Sequence, residues 1–186
     1  MGKISHAIRD MLRTRALNNV SRWDMAGVQN GIDYDKTRAL LQDTSFSFLN
    51  NGILRTILAG AVWSPSRMLA GGKLTPAAAA CVHCTAGVPE TLGHRYALCP
   101  TWSQIRLDHG VTQAELESYP RCLSRCGIVP LGHQIGKAQA KSLQRMMVCI
   151  TRHIIDSAEA QKQYKTARGC KDARSQRSLM AELANP

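Results

Sequence analysis

One stretch decides the reading of this chain: Cys81-Val-His-Cys84-Thr-Ala-Gly-Val-Pro-Glu90-Thr-Leu-Gly-His94-Arg-Tyr-Ala-Leu-Cys99. It sets Cys81, Cys84, His94 and Cys99 in a Cys-x2-Cys-x9-His-x4-Cys pattern, four soft donors within nineteen residues. Zn2+ suits such a set, because it accepts thiolate and imidazole in a closed tetrahedron and a Cys-x2-Cys turn brings two sulfurs to one side of a knuckle. Gly87 and Pro89 help to turn the chain back. His94 and Cys99 are five apart, about 140° on a continuous α-helix, so both reach one ion only if the helix ends before Cys99. Pro100 is the expected stop, and Pro89 with Glu90 the expected start. The competing reading is four residues that are close by chance, with simply buried thiols. His83 is an alternative ligand, but between Cys81 and Cys84 it would crowd the knuckle. Four protein ligands leave no position for water, so the expected cofactor is one structural Zn2+.

Catalytic metal chemistry finds no matching pattern. Nucleobase deaminases join a Pro-Cys-x-x-Cys turn to a His-x-Glu, but here Ala80 precedes Cys81 and no histidine has Glu two positions later. A His-Glu-x-x-His segment is also missing. Cys122 and Cys126 form a Cys-x3-Cys pair, with His109 or His133 as conceivable partners in a second metal site. On a helix the two cysteines would share a face as small hydrophobes, and core thiols are the expectation.

Working outward, the expected fold class is mostly α, with a small irregular knuckle between helical segments and a flexible basic C-terminal tail. The division reads 1–74 N-terminal helical region, 75–103 knuckle, 104–135 irregular connector, 136–164 amphipathic helix and 165–186 basic tail. Ile4, Ile8, Met11, Leu12 and Ala16 recur at helical spacing over the first eighteen residues. Asp35 is the expected cap of a short helix to Leu41. A further helix is expected over 46–62, with Phe46, Leu49, Ile53, Ile57 and Ala61 on one stripe, followed by a loop at Trp63, Ser64, Pro65 and Gly71-Gly72. Pro76 and its alanines read as a short helix or spacer. The connector shows one helical stretch, about 112–118. From Lys137 to about Tyr164, Leu143, Met147, Ile150, Ile154 and Ala158 mark a buried stripe, with Met146 and Met147 as core filler.

The chain has 186 residues, 44% hydrophobic and 20% charged, which excludes a wholly disordered chain. Its longest apolar runs are far shorter than the ~20 residues a membrane helix needs. The formal net charge is +11, and a chain this basic attracts polyanions. Residues 1–80 hold ten basic and five acidic groups, 81–135 four of each, and 136–186 ten and four, so the excess lies at the two ends. Lys162, Lys165, Arg168, Lys171, Arg174 and Arg177 fall every third residue. On an α-helix that step winds the charges around the axis, so an arm that orders on a phosphate backbone is expected, against a merely solubilising end. Seven cysteines and no visible secretory signal point to a reducing compartment, nucleus or cytoplasm.

The run Leu54-Arg55-Thr56-Ile57-Leu58-Ala59-Gly60-Ala61-Val62-Trp63-Ser64, then Cys81-x2-Cys84, then Glu90-Thr91-x2-His94-x4-Cys99-Pro100-x-Trp102, resembles the zinc-binding segment downstream of the reverse transcriptase in non-LTR retrotransposons. Cys122-Leu-x2-Cys126-Gly-Ile-Val-Pro130 resembles its continuation in dinoflagellate-type elements. The likeness spans about residues 50–103. It implies RNA or DNA binding in support of target-primed reverse transcription, by a terminal fragment or degenerate descendant of such an element whose polymerase lies in an upstream domain. Two-metal polymerisation needs clustered carboxylates, and no two acidic residues are adjacent in this chain. The expectation is therefore a non-enzymatic segment without small-molecule substrate or membrane. Phosphate contacts would come from Arg95 and the six basic residues from Lys162 to Arg177, and stacking from Tyr96 and Trp102, for which packing against the knuckle is the competing reading. Other readings are an interaction module that docks a protein on the apolar helix at 143–154, and a retrotransposon remnant without activity.

Overall fold

The computed structural model describes residues 23–163 and Lys165. The N-terminal helix expected over the first eighteen residues, and Arg168, Cys170, Lys171, Arg174 and Arg177 of the basic tail, lie outside the described residues. The protein is mostly helical, and among the described residues there is no strand. The helices are α1 (Tyr34–Arg38), α2 (Phe48–Leu58), α3 (Pro65–Ala70), α4 (Ser103–Asp108), α5 (Gln113–Ser118), α6 (Arg121–Cys126) and α7 (Lys137–Asp156), followed by a short helical stretch at 158–163. Two compact units divide the described residues: one takes 23–62 together with Gln104–Cys149, the other Trp63–Ser103 together with the described residues from Ile150 on.

In the first unit, side-chain caps set the starts of α1, α2 and α5. Asp33, not Asp35, caps α1: its carboxylate accepts the Lys36 N–H at 3.0 Å. Asp35 instead pairs with Lys137 Nζ at 2.9 Å. Ser47 caps α2, which begins two residues later than expected and tolerates Asn51 and Gly52 in its interior. Ile53 and Ile57 of the expected stripe are buried, together with Leu54, while Leu49 and Ala61 are exposed, and the helix ends at Leu58, four residues before the expected end. The expected connector is built from α4, α5 and α6. Thr112 and Glu115 close α5 with a reciprocal capping box. Gly127 ends α6 in the left-handed region, φ 65°.

The core of this unit gathers Val28, Cys122, Cys126 and Ile128, with Met25, Ile32 and Leu58 packed against them. The turn that carries Trp23–Met25 approaches α6 closely: the Cys122 N–H donates to Ala26 O at 3.0 Å. A Cβ on Gly27, where φ is 116°, would stand 2.8 Å from Cys122 Sγ, so only glycine fits. Gln144 of α7 reaches from its helix to donate to Thr37 O at 3.0 Å and Gly127 O at 2.9 Å.

In α7, Leu143, Met146, Met147, Ile150 and Ile154 are all buried. The methionines are core filler as expected. This apolar stripe is used within the chain and is not a free docking face. The stripe then shifts phase. Ser157 breaks the helix and its Oγ accepts the Ala160 N–H at 3.3 Å, so Ala160 is buried and Ala158 exposed.

In the second unit, Ser64 and Pro65 start a helix, contrary to the expected loop: Ser64 Oγ accepts the Arg67 N–H and Pro65 occupies the first turn, where its missing N–H costs nothing. Met68, Leu74 and Ala78 form a small apolar cluster. No helix among the described residues is long and apolar enough to cross a membrane.

Candidate metal centre

Three local structures bring the four donors together. The first is a short antiparallel pairing of Ala80 with Pro89, in which the Cys81 N–H donates to Val88 O at 2.9 Å and the Glu90 N–H to Ala79 O at 3.0 Å. It closes the Cys81–Cys84 turn at its base, so Pro89 lies in this pairing and not at a helix start. The second is the cap made by Thr91, whose hydroxyl accepts the His94 N–H at 3.0 Å. The third is a π-helical turn over His94–Leu98, closed by the Cys99 N–H donating to His94 O at 2.7 Å. A turn closed over five residues returns residue i+5 to nearly the same side as residue i. The helix therefore widens and then ends at Leu98, and the widening overcomes the angular mismatch that an α-helix would impose.

The ligand atoms of Cys81, Cys84, His94 and Cys99 all lie within 4.8 Å of one another. Cys81 Sγ and Cys99 Sγ are 4.0 Å apart, and Cys84 Sγ is 3.4 Å from His94 Nε2. Cys84 is partly buried and the other three are buried. The cluster could hold a metal ion. The neighbouring Cys81 thiol, and then the Thr101 backbone and side chain, hold the Cys99 thiol below its ordinary value. The same contact with Cys99, reinforced by burial, pushes Cys81 up. Three sulfurs and an imidazole gathered this closely are a donor set suited to a soft cation.

His83 is not in the cluster. Its ring stands 5.1 Å from that of Trp102, which in turn lies 6.1 Å from His153. The Thr101 hydroxyl donates to His83 O, tying the Cys81–Cys84 turn to the Pro100–Trp102 turn.

Burial of Arg95 departs from the expected phosphate contact, and burial of Tyr96 and Trp102 agrees with the packing reading of these two aromatics. Arg95 is 1% exposed, and its guanidinium meets Glu90 Oε1 at 2.6 Å and 2.7 Å and Trp63 O at 3.3 Å. Tyr96 is fully buried, its hydroxyl 2.9 Å from Thr151 Oγ1. Trp102 is buried too. All three pack the knuckle. Lys162 and Lys165 are exposed.

Cys122 and Cys126 are buried in the apolar core, and among the described residues they join no donor cluster. His133 Nδ1 accepts the Ile135 N–H instead. One group escaped the sequence reading: Trp23, with Arg121 and Arg125 over its ring at 5.3 Å and 4.8 Å. The available signal was two arginines four apart, one face of a helix once α6 is known. Comparison with protein-family models, curated proteins and solved structures returns no match for the chain.

Proposed function

We propose that Cys81, Cys84, His94 and Cys99 hold one structural Zn2+, and that the chain is a nucleic-acid-binding segment of the kind attached to retroelement reverse transcriptases, without a polymerase centre of its own. The observation that carries the metal assignment is the mutual approach of four donors within 4.8 Å. A tetrahedral ion with Zn–S ~2.3 Å and Zn–N ~2.0 Å has edges of ~3.8 Å between sulfurs and ~3.5 Å from sulfur to nitrogen. The sulfur pair at 4.0 Å and the sulfur–imidazole pair at 3.4 Å are close to those edges. Three thiolates and an imidazole favour Zn2+ over the oxygen-seeking Mg2+ and Ca2+, and four protein ligands make the ion a staple.

Nucleic acid as partner is supported by the net charge of +11 and by the exposure of Arg38, Arg55, Arg121, Arg152, Lys162 and Lys165. The resemblance of the knuckle and its flanks points the same way. Binding through neutralised phosphates releases counterions and weakens steeply with salt. Native mass spectrometry should find one zinc per chain, and affinity for single-stranded RNA or DNA should fall as salt is raised. Absence of bound metal removes the first half of this reading, and absence of binding at low salt removes the second.

A protein-interaction module is favoured by one observation, Phe48 at 97% and Leu49 at 56% exposure at the start of α2. Protein partners retained after nuclease treatment would select that reading.

A further inference from the structure

Charge and aromaticity meet on the surface of the first unit at Trp23. About half of this residue is open to solvent, at 51% exposure. Arg121 and Arg125, one turn apart on α6, bring their guanidinium carbons to 5.3 Å and 4.8 Å from the ring centroid, within the reach of a cation–π contact. Two guanidiniums gathered on one ring repel each other, and among the described residues neither has a carboxylate in an ion pair. Arg125 Nε is buried without a hydrogen-bond partner. Burial, then the charge of Arg121, lowers the Arg125 pKa, with Cys126 and Asp24 pulling the other way.

The turn that carries the ring packs against α6. Trp23 opens the turn that Gly27 presses against α6, and Cys126 Sγ lies 3.6 Å from the Asp24 carboxylate. The folded chain thus maintains an exposed indole beside two cations that, among the described residues, make no ion pair.

We propose that Trp23, Arg121 and Arg125 form a contact for one nucleotide of single-stranded RNA or DNA, the base stacking on the open part of the indole and the phosphate lying against the guanidiniums. The inference rests on the nucleic-acid reading above and gives it a place on the chain. The aromatic supplies a face that any base can stack on, and planar guanidiniums match phosphate oxygens in pairs. An acidic peptide would satisfy the charges but leave the indole face without a flat partner.

The test uses the full zinc-loaded chain and fluorescein-labelled single strands of roughly 12 nucleotides, one of oligo-uridine RNA and one of oligo-thymidine DNA. Trp23→Leu should weaken binding about tenfold. Arg121→Gln with Arg125→Gln should weaken it further and flatten the salt dependence by about two phosphate contacts. Arg55→Gln, an exposed charge elsewhere in the same unit, should reduce the slope by at most about one contact and leave stacking intact. Far-UV circular dichroism and zinc content establish that each variant is folded. If a Trp23→Leu chain fails that check, Trp23→Phe, which keeps an aromatic face, replaces it and should weaken binding less than the double arginine variant does.

Wild-type, salt-dependent binding left within about twofold by the folded Trp23 and arginine variants overturns this contact and spares the general reading. No binding by the wild type at low salt overturns both. Poly-glutamate competing as well as RNA overturns the nucleotide assignment. The ratio of RNA to DNA affinity identifies which sugar the contact accepts.

Discussion

Two cysteine pairs, Cys81 with Cys84 and Cys122 with Cys126, differ by one residue in spacing and by almost everything in chemistry. The first lies on a turn, and a cap and a π-helical turn deliver His94 and Cys99 to the same place. The second lies on α6 at helical spacing and faces Val28 and Ile128. The consequence appears in the thiols. In the cluster the contact between the Cys81 and Cys99 thiols lowers Cys99 and raises Cys81, so that one proton leaves that pair before the other, whereas burial pushes Cys122 up to about 11. Thiolate character belongs to polar, partnered sulfurs, and buried sulfurs among aliphatic groups are inert hydrophobes. Spacing nominates ligands, and the backbone between them decides whether they meet.

The largest effect should come from the first pair. Cys84→Ser should abolish zinc retention in native mass spectrometry and raise amide hydrogen exchange throughout residues 79–102, because binding energy of ~10 kcal/mol or more is folding energy in a small site. Cys122→Ser should leave one zinc per chain and cost about 1–3 kcal/mol in denaturant unfolding, the penalty of a hydroxyl in an apolar site. Equal zinc loss from both variants would erase the distinction.

Between these two falls a change that separates metal from polar packing within the knuckle. Glu90→Gln removes the carboxylate that meets the buried Arg95 guanidinium, and should destabilise by about 3–5 kcal/mol with zinc still bound at low denaturant. Replacing both partners, Glu90→Leu with Arg95→Met, should recover most of that loss. Thermal unfolding of the zinc-loaded chain reads both. A single variant as stable as the wild type would show that the pair adds nothing beyond the metal. On the α6 side the smaller counterpart is Gly127→Ala: φ is 65° and the new Cβ would stand 3.2 Å from Gln144 Cγ, so a loss of about 1–2 kcal/mol is expected.

The features legible in the sequence were those that repeat or cluster. The four donors could be nominated because soft ligands at such spacing have few other uses, and the α7 stripe because five positions kept helical phase. Residues 112–118 stood out as the one helical stretch of the connector, and the structure adds the Thr112–Glu115 capping box that starts it. Helices α4 and α6 were not, since six residues show less than two turns of periodicity and Pro120, Gly127 and Pro130 read as punctuation. The burial of Arg95 was hidden because its partner Glu90 lies outside the helix, beyond the pairing rules for helical neighbours. The approach of His94 to Cys99 was expected, but the π-helical turn that achieves it was hidden, because no propensity rule announces one. The shift from Ala158 to Ala160 follows from a single serine acting as a cap where a continuous helix was expected.

Acid should separate the two regions by a milder route. Asp43 accepts from Lys141 Nζ at 2.7 Å, Arg145 at 2.9 Å and the Ser45 hydroxyl at 2.6 Å. The Lys141 contact, then those of Ser45, hold its carboxyl well below the ordinary 3.8. A carboxylate with a lowered folded pKa stabilises fully above the unfolded value and loses that contribution as pH falls through 3.8 toward the folded value. The group is solvent-facing, so the effect should be small and should shrink in high salt. Asp43→Asn should flatten the pH dependence of unfolding there while leaving acid release of zinc unchanged, because that release is set by protons competing for thiolates and imidazole. If the variant altered zinc release as much as unfolding, the knuckle and the α7 ion pairs would have to be treated as one cooperative structure, and the contrast between the cysteine pairs would lose its energetic meaning.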